Sequence, residues 1–197
     1  MLPRHATFDD LLSASDASAL LDNVLGQECA FSASQVTSAE GHTVDLGHRN
    51  AASLDIDWNA EGSAFRAAVR NTLPAIFEAT GIRPFSPVTL ELECVAHRDG
   101  GKFGTHIDTL TDTQRQDSDR IVSAVYYFYR EPKPFSGGEL ALHAIGEDES
   151  IHVEPRHNRL VAFPSFAPHE VMPVTVPGNA FPDARFSINC WLRRKRG

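Results

Sequence analysis

Beyond residue 84 the chain is cut into short runs of alternating, β-branched and aromatic residues, each closed by turn-forming ones. In "SPVTLELECVAH" every second residue is apolar, so Val88, Leu90, Leu92 and Cys94 share one face of a strand. "RIVSAVYYFYR" is a longer β-branched and aromatic run. "GGELALHA", "SIHVEPR", "NRLVAFP", "HEVMPVTV" and "RFSINCWLRR" follow, bounded by Gly, Pro, Asn or acidic residues. At least seven short strands with regular turn signals predict a β-sandwich or barrel of jelly-roll type, a cupin-like core over about residues 85–193.

The first 84 residues have a different texture. In "SDASALLDNVLG", Leu20, Leu21, Val24 and Leu25 recur with helical spacing, and Gly26 ends the helix. In "GSAFRAAVRNTLPAIFEATG", Phe65, Val69, Leu73 and Phe77 fall every four residues, with Gly81 as C-cap and Pro74 expected to kink the helix. Residues 32–50 are polar and read as loop, with a strand near 43–56. The two helices are expected to support the outside of a sheet. No boundary separates the halves, so one domain over residues 1–197 is predicted, mainly β with flanking helices.

Composition narrows the function classes. The chain has 197 residues, 42% hydrophobic and 22% charged, ordinary values for a globular protein. No apolar run approaches the about 20 residues that span a bilayer, and "MLPRHATFDD" lacks the apolar core of a secretory signal. Cys29, Cys94 and Cys190 are far apart, odd in number and contain no CxxC pair, which favours a reducing cytoplasm over a disulfide framework. A net charge of −8 argues against a nucleic-acid surface. The basic "RRKRG" end reads as a solvated tail, and no membrane partner is expected.

The nine histidines carry the chemistry, and most are expected to be bystanders. His5, His42 and His48 lie in polar N-terminal segments, His157 in the turn "EPRHNR", and His143 and His152 on strands of unknown facing. "GKFGTHIDTL" is different: two glycines precede His106 and Asp108. On a strand, positions two apart share a face, so this pair either grips one metal ion or is an ordinary surface pair. His169, opening "HEVMPV", faces that pair across a barrel. Two histidines and one carboxylate occupy one face of an octahedral ion and leave three positions open, the arrangement of non-haem Fe(II) oxygenases. A structural zinc site would be closed by four ligands. Open positions invite a chelating small dicarboxylic acid, provided that a cation holds its far end. Arg185 in "RFSINCWL" is the candidate, because arginine takes a carboxylate by two parallel hydrogen bonds. The plainer alternative is an arginine at a strand end paired to an Asp or Glu.

Taken in order, H-x-D, "YYFYREPKPFSGGELALH", "RLVAFPSFAPHEVMPV" and Arg185 with "FSINCWL" resemble the prolyl 4-hydroxylase-like group of Fe(II)/2-oxoglutarate dioxygenases. The resemblance runs over about residues 88–193, roughly half the chain. It implies a double-stranded β-helix flanked by helices. It implies His106, Asp108 and His169 as iron ligands, Arg185 as the residue on the distal carboxylate of 2-oxoglutarate, and Tyr127 assisting there. By the same resemblance Asn189 is a small polar group of that pocket and Trp191 an aromatic behind the metal. His97 stands where many relatives carry a tyrosine, as a hydrogen-bonding group or as packing. Sixteen positions separate His169 from Arg185, with "VPGNAFPDA" an insertion that a loop between antiparallel strands can absorb. The implied cofactors are Fe(II) and 2-oxoglutarate, with ascorbate as reductant. The implied reaction consumes O2 and hydroxylates an unactivated carbon, releasing succinate and CO2 and needing no separate general base.

Specificity is expected in loops at the barrel mouth: residues 34–50, "HRDGGKFGT" and "TLTDTQRQDSDR". Arg49 is a candidate anchor for a substrate carboxylate, a solvated arginine being the alternative. The substrate is left open among peptides, amino acids and other small molecules. Three other classes compete: a cupin-like metal enzyme that uses no 2-oxoglutarate, a non-catalytic 2-oxoglutarate or iron sensor, and a structural jelly roll with incidental histidines.

Overall fold

A computed structural model describes residues 1–38, 41–54, 62–109 and 117–196. Most of the expected mouth loop at 109–120 lies outside these residues. Helix α1 (Ala14–Leu25) starts at Ser13, whose hydroxyl accepts the Asp16 N–H. Helix α2 (Gly62–Thr80) contains Pro74 within one continuous helix. It ends where Gly81 turns left-handed, at φ 70°.

Eight strands after residue 88 build the core: β1 (Thr89–His97), β2 (Lys102–His106), β3 (Ser118–Phe128), β4 (Leu140–His143), β5 (Ser150–Val153), β6 (Arg159–Pro164), β7 (His169–Val171) and β8 (Arg185–Lys195). A major sheet runs β6-β3-β8-β1, extended by Ala6–Phe8 beside β6 and by Ala52–Leu54 and Ser32–Ala33 beside β1. A minor sheet runs β5-β4-β7-β2 and ends on Arg49–Asn50. The chain crosses between sheets at nearly every step, with antiparallel pairing throughout. The alternating runs predict a jelly-roll core, and this is the double-stranded β-helix that the family resemblance implies.

Period-two alternation gives the major sheet two unlike faces. Leu90, Cys94 and Ala96 of β1, Val122, Tyr126 and Phe128 of β3, and Phe186, Ile188 and Leu192 of β8 meet Leu20, Val24, Phe65, Val69 and Ile76 of the helices in one apolar core. Burial of each large side chain there contributes about 1.5–3 kcal/mol. The opposite face, carrying Glu91, Glu93 and His97 beside Arg185, Ser187 and Asn189, lines a cavity between the sheets.

Three expectations change. Val88 precedes its strand and is exposed rather than part of the apolar face. "HEVMPVTV" is two strands, because Pro173 lacks the N–H a ladder needs; Val174–Thr175 pairs instead with Ser136–Gly137. Residues 32–50 are not simply loop: they hold Ser32–Ala33 and the hairpin of Val36–Ser38 with Gly41–Thr43. Such two- and three-residue strands form by pairing to neighbours rather than by local propensity.

Candidate active site

Antiparallel pairing of β2 with β7 sets His106 directly opposite His169. His106 is the last residue of β2, and Asp108 lies past the strand end rather than on its face. Its backbone N–H is caught by the Ser165 carbonyl at 2.9 Å. The ligating atoms of His106, Asp108 and His169 all lie within 4.8 Å of one another.

Hydrogen bonding fixes the donor set. His106 Nδ1 stands 2.8 Å from the Gly104 carbonyl, and His169 Nδ1 2.9 Å from that of Ala167. A carbonyl only accepts, so both protons sit on Nδ1 and both Nε2 lone pairs are free. The Asp108 carboxylate accepts the Ser123 hydroxyl at 2.6 Å, and Ser165 Oγ lies 2.9 Å from Ser123 Oγ. Burial alone would raise the Asp108 carboxyl; the charges of His169 and His106 and the Ser123 and Trp191 donors outweigh it and hold it low. Burial, then the charge of His169, pushes His106 down to about 3. A neutral His106 imidazole and an ionised Asp108 carboxylate are protonation states that suit a metal ligand.

At one end of the cavity Arg185 is fully buried and forms no ion pair among the described residues. Its Nε donates to the Gly138 carbonyl at 2.9 Å. Gly138 has a φ of 74°, and a Cβ there would sit 2.6 Å from Arg185 Cδ, so only glycine leaves room for the arginine. Arg185 Nη1 is 3.3 Å from His97 Nδ1. Arginine only donates, so His97 accepts on Nδ1 and carries its proton on Nε2. Burial, then the Arg185 and Arg49 charges, keeps this imidazole neutral. The Arg185 carbon Cζ lies 4.8 Å over the Tyr127 ring. Arg185 Nη2, Tyr127 Oη and His97 Nε2 are all buried without a partner. Three unsatisfied donors around one buried cation fit a guest carboxylate.

The insertion "VPGNAFPDA" does not move Arg185, which stays opposite His97 in the β1–β8 register. The inserted loop anchors itself: Phe181 packs edge-on against Phe31 and Phe186 at 5.1 Å each. The Val176 N–H donates to Asp99.

The other end of the cavity was not foreseen. Glu91 and Glu93 both line it. Arg49 Nη2 donates to the two Glu93 oxygens at 2.9 and 2.8 Å, and Asn189 Nδ2 donates to the same carboxylate at 3.1 Å. Asn189 is thus placed on Glu93 rather than on Arg185, and Arg49 is half of an ion pair. Arg120 and Arg193 both hold Glu91, and Arg120 Cζ lies 3.8 Å over Trp191. A signal existed: two glutamates alternating with Leu90, Leu92 and Cys94 need a polar cavity behind the strand. His143 pairs with Glu170, and His152 lies 3.2 Å from the Ser150 hydroxyl; neither lines the cavity.

A family model for the 2OG-Fe(II) oxygenase superfamily matches residues 92–193, the stretch carrying triad, Tyr127 and Arg185. The chain belongs to this oxygenase superfamily. It is 33% identical over 144 residues to an uncharacterised PKHD-type hydroxylase of Synechocystis, covering 69% of this chain. That match spans about half of the relative, 46% of its length. A Pseudomonas putida prolyl-4-hydroxylase shares the fold with a TM-score of 0.67 at 22% identity, covering 98% of this chain and 94% of that one. A Trichoplax adhaerens prolyl hydroxylase, solved with a hypoxia-inducible-factor peptide, matches at 0.67 and 21%, covering 95% and 82%. This superfamily works with Fe(II) and 2-oxoglutarate, and the two donor sets of this chain suit both: a two-histidine, one-carboxylate face and the buried donors without partners at Arg185.

Proposed function

We propose that this chain is an Fe(II)- and 2-oxoglutarate-dependent hydroxylase acting on an unactivated carbon of a peptidyl, amino-acid or other small-molecule substrate. The observation that carries this reading is the cluster of unpartnered donors at Arg185, at the far end of the cavity that also holds the triad. A cupin-like enzyme without 2-oxoglutarate has no use for a buried, unpaired arginine.

In this reading His106 and His169 give Nε2 and Asp108 a carboxylate oxygen to Fe(II). The backbone carbonyls of Gly104 and Ala167 and the Ser123 hydroxyl keep those atoms aimed. Arg185, Tyr127 and the His97 Nε2–H bind the distal carboxylate of 2-oxoglutarate. Bound together, Fe(II) and 2-oxoglutarate supply an oxidant for unreactive C–H bonds, with succinate and CO2 as co-products. Val125, Leu140 and Val171 line the chamber with apolar surface, which limits water around the reacting atoms. The cavity has a volume of about 780 Å³, room for part of a substrate beside the 2-oxo acid. The peptide bound by the Trichoplax relative supports a peptide as one substrate class. Residues 1–197 act as one domain, and no general base is assigned.

The test is an anaerobic titration of apoprotein with Fe(II) and then 2-oxoglutarate, following the visible charge-transfer band of the chelate. The band is expected in wild type and absent in His169→Ala. Folded, iron-loaded protein without the band would sink the reading in favour of the cupin alternative. Band formation without succinate release across peptide and amino-acid panels would favour a sensor.

A further inference from the structure

Arg49–Asn50 is a strand of only two residues, yet the segment His48–Asn50 grips β2 at several points. Arg49 registers with Phe103 and Asn50 with Lys102. The His48 carbonyl accepts the Gly104 N–H at 2.7 Å, and Asn50 Nδ2 donates to the Gly100 carbonyl at 3.0 Å. Without this segment β2 would be the open edge of the minor sheet, where strands fray and mispair.

Two contact chains run from the segment to one ligand. In the first, the Arg49 guanidinium lies 4.8 Å over the Phe103 ring. Phe103 in turn stacks on the His106 imidazole, centroids 3.7 Å apart and planes 18° from parallel. In the second, His48 holds the Gly104 backbone, and the Gly104 carbonyl takes the His106 Nδ1 proton. A Cβ on Gly104 would lie 2.6 Å from the His48 ring, so no larger residue fits this closely. The His48 ring also meets Phe103 edge-on at 5.5 Å.

A hydrogen bond at Nδ1 fixes where an imidazole points but leaves its plane free to rock. A ring stacked on its face removes that freedom, and a cation on the ring steadies the stack. Arg49 is itself tied down by Glu93 and by the Gln35 carbonyl. Among the described residues His169 has no such strap: it is held by its own turn at Ala167 and by Phe163 of β6.

We propose that the His48–Asn50 strap is a positioning element for the metal ligand His106, with Arg49 acting through Phe103. The proposal rests on the oxygenase reading above. It replaces the expected role of Arg49 as a free carboxylate anchor.

The experiment compares Phe103→Leu, Phe103→Tyr and the charge-balanced double variant Arg49→Met/Glu93→Gln with wild type. Fe(II) affinity is read by anaerobic chelator competition, the charge-transfer band by absorbance, and apoprotein stability by thermal unfolding. Phe103→Leu and the double variant are expected to lose about ten-fold or more in Fe(II) affinity, the size of other outer-shell effects. Their bands are expected to shift, and Phe103→Tyr is expected to rescue both readouts. Folded variants that bind Fe(II) within two-fold of wild type, with an unshifted band, would overturn the strap. Should Phe103→Leu not fold, Phe103→Met, which keeps apolar bulk, decides in its place. Wild type that takes up no Fe(II) overturns the oxygenase reading itself, a separate outcome.

Discussion

The two ends of the cavity are both built on arginine, and they treat it oppositely. At one end Arg185 is sealed from solvent with a backbone carbonyl, a neutral histidine and an aromatic ring around it, and it forms no ion pair among the described residues. At the other, Arg49 and Arg120 are each locked to a glutamate of β1. A buried cation without a counter-charge is costly, and a fold retains one where a ligand completes it. A cation already paired is wall. In the proposed reading the same residue type is a binding group at one end and a structural brace at the other, and only its partners tell the two apart.

One pair of substitutions breaks the comparison most sharply. Arg185→Met removes an unpaired buried charge, so the apoprotein should be no less stable. Its affinity for 2-oxoglutarate should fall about 100-fold or more, the loss of a buried charge-assisted contact, while Fe(II) binding persists. Calorimetric titration and thermal unfolding check both. Arg49→Met does the reverse to stability, because it strands Glu93. The cost should be about 2 kcal/mol, below the fully buried case because Glu93 is partly exposed and keeps Asn189. Denaturant unfolding measures it, and equal stabilities of the two variants would erase the distinction.

Acid sharpens it further. His97 and His106 are held neutral in the folded apoprotein, with pKa values below the ordinary 6.5. The unfolded chain takes up those protons first. Stability is therefore full above pH 6.5 and declines as pH falls from there toward about 3. Unfolding free energies between pH 7 and 5 should show the decline, and His97→Gln should reduce its slope. The smallest effect is expected of Tyr127→Phe. It deletes one unpartnered hydroxyl, so 2-oxoglutarate should bind about five-fold more weakly with no loss of stability.

The core strands were legible because period-two alternation is local and each strand ends in turn residues. The triad and Arg185 were legible because four chemically special residues fell in a meaningful order. Ser123 and Ser165 carried no signal, since a serine on a strand looks the same whether or not it holds a carboxylate. Phe103 drew no reading of its own, and His48 read as a bystander. The strap itself was hidden for a different reason: it exists only as a pairing between segments some fifty residues apart, and no local pattern encodes it. Glu91 and Glu93 drew no reading, although two charges alternating with apolar residues mark a face that must stay polar.

On β1, β3, β6 and β8 the registers keep parity across the sheet: Arg185 faces His97, Ser187 faces Tyr127, and Val161 faces Val125. Up to the bulge between Leu192 and Arg193, odd-numbered positions on these four strands therefore point between the two sheets, toward the chamber or the apolar cluster of Tyr127, Val161 and Phe163, and even-numbered ones into the helix-covered core. For anyone reshaping the protein this is a division of labour. A library confined to chamber-facing positions such as 93, 125 and 189 can redraw what the chamber accepts while the helix-covered core is left alone. The same library moved by one residue would spend its diversity on Cys94, Tyr126 and Cys190 and return mostly unfolded chains.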